Sequence, residues 1–102
     1  MTMNRDRYRS VFRPGLFDGR AVVVTGGGSG LGRCAAHELA SLGARLALVG
    51  RRHEKLQAVA DEIVAIYPEC AGRLSLHACD IRDEERVKAS VADIVVAHGR
   101  ID

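Results

Sequence analysis

The sequence predicts an α/β fold: a doubly wound parallel sheet, read as truncated at the start of its fourth strand, with strand order 3-2-1. Three observations predict it. Short aliphatic runs alternate with longer segments whose apolar residues recur at helical spacing. Glycine or proline punctuates most junctions. Each strand-like run is followed by a segment long enough to form a crossover helix, and such alternation calls for right-handed parallel connections.

Taken in order, residues 1–19 read as an arm and lead-in, and residues 20–102 as the N-terminal part of one domain. At 102 residues the chain has room for one domain only. The arm carries Arg5, Arg7, Arg9 and Arg13 without an apolar segment behind them, so it is no secretory signal. It reads as a solvated arm whose Tyr8, Val11 and Phe12 pack on the domain. Pro14-Gly15 and Asp18-Gly19 are turn punctuation, and ordered structure is expected from about Arg20.

Ala21-Val22-Val23-Val24-Thr25 is a β-branched run bounded by glycines and predicts a strand buried on both faces. Residues 31–42 place Leu31, Cys34, Ala35, Leu39 and Leu42 on one helical face, with Gly43 as the residue that ends the helix. Leu46-Ala47-Leu48-Val49 is a second buried strand. Leu56, Val59, Ala60, Ile63, Val64 and Tyr67 fall at helical spacing over 53–66, and Pro68 stops that helix. Leu74-Ser75-Leu76-His77-Ala78 alternates and predicts a third strand. Asp83 is a helix N-cap, with Glu84 and Glu85 favoured by the helix dipole in the first turn. Val87, Val91, Ile94 and Val95 form the stripe of that third helix, which Gly99 closes. Ile101-Asp102 begins a fourth strand.

Composition excludes several function classes. Apolar residues make up 47% and charged residues 27%, the balance of a globular chain and not a disordered one. No apolar run approaches the ~20 residues that span a bilayer, so no membrane partner is expected. A net charge of +2 is too weak to signal nucleic-acid binding. Cys34, Cys70 and Cys79 are odd in number and widely spaced, which fits a reducing, cytoplasmic location better than a disulfide scaffold. His37, His53, His77 and His98 form no metal-ligand pair at any recognised spacing, so no metal is expected.

The chemistry lies in Thr25-Gly26-Gly27-Gly28-Ser29-Gly30-Leu31-Gly32, between the first strand and the first helix. A tight turn after a buried strand favours residues without Cβ. The first amides of the following helix have no partners within it and, with the helix dipole, attract a pyrophosphate. Gly30 lets backbone approach the phosphates, and Gly32 lets helix and strand pack closely. In this strand–turn–helix context the pattern points to a dinucleotide.

An acidic residue about 20 positions further on holds the ribose diol of NAD. Here Gly50-Arg51-Arg52 stands in that place, with no carboxylate. A guanidinium binds a 2′-phosphate by charge-assisted contacts, so NADP(H) is predicted over NAD(H). The other reading of the two arginines is a solvated start to the second helix. After the third strand, Asp80 sits where ligands bind in open α/β sheets. It either accepts a hydrogen bond from an adenine amino group or caps local amides in a turn.

The chain resembles the N-terminal part of classical short-chain dehydrogenases/reductases over about residues 16–102. The resemblance rests on Leu16-Phe17-Asp18-Gly19, the TGxxxGxG pattern at Thr25, Gly26, Gly30 and Gly32, Gly50-Arg51-Arg52, Cys79-Asp80-Ile81, and Gly99-Arg100-Ile101-Asp102. It implies a Rossmann-like fold and a cofactor site of Gly26, Ser29, Gly30, Leu31, Gly32, Arg51, Arg52, Asp80 and Ile81. In that family the counterpart of Asp80 contacts the adenine, and Ile81 adds a backbone contact.

The family's Asn-Asn-Ala-Gly stretch, catalytic serine and Tyr-x-x-x-Lys pair are absent from these 102 residues: Tyr8 is followed four residues on by Phe12, and Tyr67 by Ala71. No residue is assigned a catalytic role. The expectation is the NADP(H)-binding portion of an oxidoreductase, inactive alone, whose full-length parent acts on a carbonyl, alcohol or enoyl-type small molecule. The alternative is a non-catalytic dinucleotide-binding or interaction module. Without a fourth strand, the open edge of the first strand is expected to drive self-association.

Overall fold

The computed structural model describes residues 12–26 and 30–102. Strand β1 (Ala21–Thr25) leads to helix α1 (Gly30–Ser41), then β2 (Arg45–Gly50), α2 (His53–Ile66), β3 (Leu74–Ala78) and α3 (Glu84–His98). The strands form one parallel sheet with β2 in the middle, so the expected order 3-2-1 holds. Val24 sits beside Leu48, and Leu48 beside Leu76.

Alternation along the strands divides the sheet into two apolar faces. Val22, Val24, Leu46, Leu48, Leu74 and Leu76 face a core completed by Ala36 and Ala40 of α1 and by Leu56, Val59, Ala60 and Ile63 of α2. Val23, Ala47 and Val49 face a smaller cluster with Cys79, Val87 and Ile94, which places α3 on the opposite side. The chain is therefore wound on both faces of its sheet. Glu62 of α2 clasps α1: it accepts from Arg33 Nε at 2.8 Å and Nη2 at 2.9 Å, and lies 3.0 Å from His37 Nε2.

The element ends follow local chemistry. Asp83 caps α3 by accepting the Arg86 N–H, and Gly99 closes it with φ +79°. Tyr67 is buried, and its N–H donates to the Ile63 carbonyl at the end of α2. Pro68 then opens a 3₁₀ turn, Pro68–Cys70. Gly43 takes φ +92° after α1.

Two helical faces differ from the sequence expectation. On α1 the buried residues are Ala36 and Ala40, whereas Leu31, Cys34 and Ala35 are exposed; Leu39 is half-buried and Leu42 buried just past the helix end. Small side chains at i and i+4 let the helix axis approach the sheet, and that contact decides the face over the larger residues. On α3 only Ile94 is buried, with Val87 packed beside it, while Val91 and Val95 stay more than 40% exposed. The second face of a three-stranded sheet offers that helix too few apolar partners to cover the whole stripe.

Of the arm residues expected to pack, Tyr8 and Val11 lie outside the described residues, and Phe12 is more than half exposed. The lead-in itself is tied in: Phe17 packs on the larger core, and its N–H donates to the Leu42 carbonyl at 2.9 Å. At the other end, Ile101 and Asp102 are not themselves strand. The Asp102 N–H donates to the Ala21 carbonyl at 2.6 Å, and its carboxylate accepts the Ala21 N–H at 2.9 Å. The Arg20 carbonyl turns toward Arg45, so by strand alternation the groups of Ala21 point away from β2. Asp102 therefore attaches where the next strand was expected.

A polar chain lies on the α3 side of β3. Ser75 Oγ is 2.7 Å from His77 Nε2 and 2.7 Å from His98 Nε2, and Arg45 Nε donates to His98 Nδ1 at 3.2 Å. Burial pushes both imidazoles below their ordinary pKa. Arg45 and His77 lower His98 further, whereas Asp93 opposes the effect at His77. Three of the four histidines are thus partnered within the fold, His37 with Glu62 and both His77 and His98 with Ser75. Among the described residues no His/Cys/Asp/Glu group could hold a metal ion, and no helix is long and apolar enough to cross a membrane.

Candidate functional site

All three strands end at the same side of the sheet, and a cleft of about 380 Å³ opens there. It is lined by Gly26 just past β1, by Val49 and Gly50 of β2 with Arg51 after them, and by Cys79, Asp80, Ile81 and Arg82 in the loop after β3. The carboxyl ends of parallel strands are where open α/β sheets bind ligands, because the chain diverges there toward opposite faces.

Gly26 leaves β1 with φ +67°, a conformation that L side chains rarely adopt, and its N–H donates to the Val49 carbonyl at 2.8 Å. That bond carries the sheet pairing one residue past the strand and turns the chain into the glycine cluster. Gly30 begins α1 with φ +58°, and a Cβ built there meets nothing within 4 Å. Side-chain bulk is therefore not what excludes other residues at Gly30; backbone conformation is. No acidic residue occupies the first turn of α1, so its dipole is free to attract an anion. Leu31 is 89% exposed beside it, and Gly32 is half-buried in the same turn. Ser29 lies outside the described residues.

The two arginines separate. Arg51 lines the cleft at the end of β2, next to the Gly50 carbonyl that accepts the Cys79 N–H at 2.8 Å. Arg52 stands outside the cleft as the N-cap residue of α2, where its carbonyl accepts the N–H groups of Lys55 and Leu56.

Asp80 is held locally. Its Oδ1 accepts the Arg82 N–H at 3.0 Å and Arg82 Nε at 3.1 Å, and its Oδ2 accepts Arg82 Nη2 at 2.9 Å. These bonds hold the carboxyl down to about 2, with Arg51 adding to the effect. Asp80 is therefore an acceptor throughout the neutral range. A carboxylate offers about four lone-pair positions, and three are taken, leaving one on Oδ2 for a ligand donor. Asp80 thus caps its own turn, the second of its two sequence readings, and it also lines the cleft. The sequence reading passed over Arg82, although the Asp-x-Arg spacing at a strand end was its signal. Ile81, 65% exposed, gives the cleft an apolar wall.

Residues 20–102 match the family model for short chain dehydrogenases. The chain belongs to the short-chain dehydrogenase family. It is 37% identical over 91 residues to a 3β-hydroxysteroid dehydrogenase of Mediterraneibacter gnavus, covering 89% of this chain and 32% of that one. Among solved structures it superposes on a citronellol catabolism dehydrogenase of Pseudomonas aeruginosa PAO1 with TM-score 0.83 and 61% identity, covering 92% of this chain and 38% of the other. A metagenomic short-chain oxidoreductase solved with NADP gives TM-score 0.75 and 42% identity over 84% of this chain and 37% of its own. A further neighbour, 30% identical, was solved with NADH. The chain spans about a third of the length of the curated relatives it matches.

The site suits the dinucleotide of this family. Two positive-φ glycines and an acid-free helix start fit a pyrophosphate, and Arg51 and the ionised Asp80 bring a cation and an acceptor to the same cleft.

Proposed function

We propose that these residues bind NADP(H), in preference to NAD(H), as the cofactor-binding portion of an oxidoreductase acting on a carbonyl, alcohol or enoyl-type small molecule. The observation that carries this reading is Arg51: it opens onto the same cleft as Gly26 and Asp80, where an NAD-selective site needs a carboxylate. In this reading Gly26, Ser29, Gly30, Leu31 and Gly32 surround the pyrophosphate, Arg51 takes the 2′-phosphate with Arg52 at its outer side, and Asp80 and Ile81 bound the adenine. Bound there, the nicotinamide supplies hydride chemistry that no side chain offers. The 102 residues contain no Tyr-x-x-x-Lys, so binding, and not turnover, is the activity assigned to them.

The test is calorimetric titration of the chain with NADPH and with NADH, beside an Arg51→Ala variant. A charge-assisted contact contributes about 1.5–3 kcal/mol, so NADPH should bind roughly 10- to 100-fold tighter. Arg51→Ala should erase that margin without changing NADH binding. Equal affinities in the parent chain would refute the NADP preference, and no binding of either would refute the site.

Two further expectations belong to the same proposal. The two buried cysteines, Cys70 and Cys79, form no disulfide and suit a reducing, cytoplasmic setting. The β1 edge beyond Ala21 is offered to a second copy of the chain. Sedimentation equilibrium should then show a concentration-dependent dimer, and a monomer at all concentrations would refute this.

A further inference from the structure

Arg51 and Asp80 carry opposite charges at the ends of neighbouring strands. Gly50 and Ala78 are register partners, and the Cys79 N–H donates to the Gly50 carbonyl, so each charged residue stands one position past a bonded pair. Left to themselves, the two side chains would close on each other across the mouth of the cleft. A guanidinium committed to a neighbouring carboxylate is a poor ligand for a phosphate. Yet among the described residues Asp80 makes its fork contacts with Arg82 alone, and no hydrogen bond or ion pair joins it to Arg51.

We propose that Arg82 is a positioning residue of the nucleotide site: it occupies Asp80 so that Arg51 stays free for the 2′-phosphate. The inference rests on the reading that the cleft takes NADP(H). The geometry favours Arg82 in the competition. It is only two residues from Asp80, so the loop to be closed is minimal. Its own N–H also binds Oδ1, which fixes the carboxylate before the side chain arrives. The fork then engages both oxygens, a match that a guanidinium makes and an ammonium does not. Arg82 needs no contact with the nucleotide to act in this way.

The experiment compares 2′,5′-ADP with 5′-ADP by calorimetry on the 102-residue chain, as parent, Arg51→Gln, Arg82→Gln and Asp80→Asn/Arg82→Gln. The ratio of the two affinities isolates the 2′-phosphate, because both ligands carry the same adenine. In the parent the ratio should favour 2′,5′-ADP about tenfold or more. Arg82→Gln should collapse it toward the Arg51→Gln value, because Asp80 then captures Arg51. Removing that carboxylate in the double variant should restore it, whatever the loss in absolute affinity. A ratio unchanged by Arg82→Gln, or unrestored in the double variant, overturns the proposal.

A parent chain that binds neither nucleotide sinks the NADP(H) reading instead, and a second measurement then decides the inference without a ligand. Carboxyl ¹³C titration of Asp80 should respond to Arg51→Gln much more strongly in the Arg82→Gln background than in the parent. Equal responses in the two backgrounds overturn it. Arg82 is exposed and outside the core, so its replacement leaves the fold available for both assays.

Discussion

Gly43 joins α1 to β2, and replacing it with alanine tests how the lead-in is locked to the domain. Two costs combine. The φ of +92° is disfavoured for an L residue by about 1–2 kcal/mol. A Cβ there would also overlap Asp18 Oδ1 and lie 2.9 Å from Asp18 Cγ and 3.2 Å from its Cα. The Oδ1 end of the carboxylate can rotate away, but the Asp18 Cα is main chain and yields only if the lead-in shifts, and that backbone approach is the wedge. Overpacking of this kind costs about 1–3 kcal/mol, and the smaller entropy of the unfolded alanine chain returns about 0.4–1 kcal/mol. The net loss is about 1–4 kcal/mol, and its middle corresponds to roughly 10–20 °C in melting temperature for a chain of this size. Thermal and urea unfolding followed by circular dichroism measure it. Asp18→Ala/Gly43→Ala should recover the overlap share and leave the backbone share. A Gly43→Ala chain that melts with the parent would refute the reasoning, because neither the dihedral nor the wedge would then hold in solution.

Two further outcomes follow from the fold. Ile94→Ala removes the one buried side chain of α3 and should cost about 2–5 kcal/mol; hydrogen exchange should show α3 losing protection ahead of β2, and uniform loss across the chain would contradict that assignment. His77 and His98 have folded pKa values below 6.5, so the folded state binds fewer protons than the unfolded one as pH drops. The stability they contribute is complete above 6.5 and declines as the pH falls from there through the folded values. Melting temperature should therefore decrease below about pH 6.5, and His77→Gln/His98→Gln should flatten that limb; an unchanged limb in the double variant would refute the role of the pair.

The order of elements was legible because periodicity and punctuation are local signals. Ala21–Thr25, His53–Ile66 and Leu74–Ala78 fall where their patterns place them, and the caps at Asp83, Gly43 and Gly99 take the roles their chemistry implies. What the pattern could not reveal was which apolar residues meet a partner. Leu31, Cys34 and Ala35 satisfy a helical stripe as well as Ala36 and Ala40 do, and only the approach of α1 to the sheet separates them. The same holds at the cleft. Gly26, Arg51 and Asp80 were legible from their positions at strand ends, and the structure brings all three to one opening. Arg52 shares every sequence credential of Arg51 but points its backbone into the start of α2. Arg82 was missed because its partner is Asp80, and the Asp-x-Arg spacing was the one signal that could have found it.

The attachment of Asp102 to Ala21 also acts as a registration mark. It consumes both main-chain groups of one residue at the near end of an open edge, the N–H and the carbonyl together. A strand arriving alongside β1 finds the first rung filled and must align from there. A slip by a single residue would carry its side chains to the wrong layer, exchanging those meant for α1 with those meant for α3. The pair of bonds thus selects among alignments that the plain valine run Val22–Val24 could not tell apart.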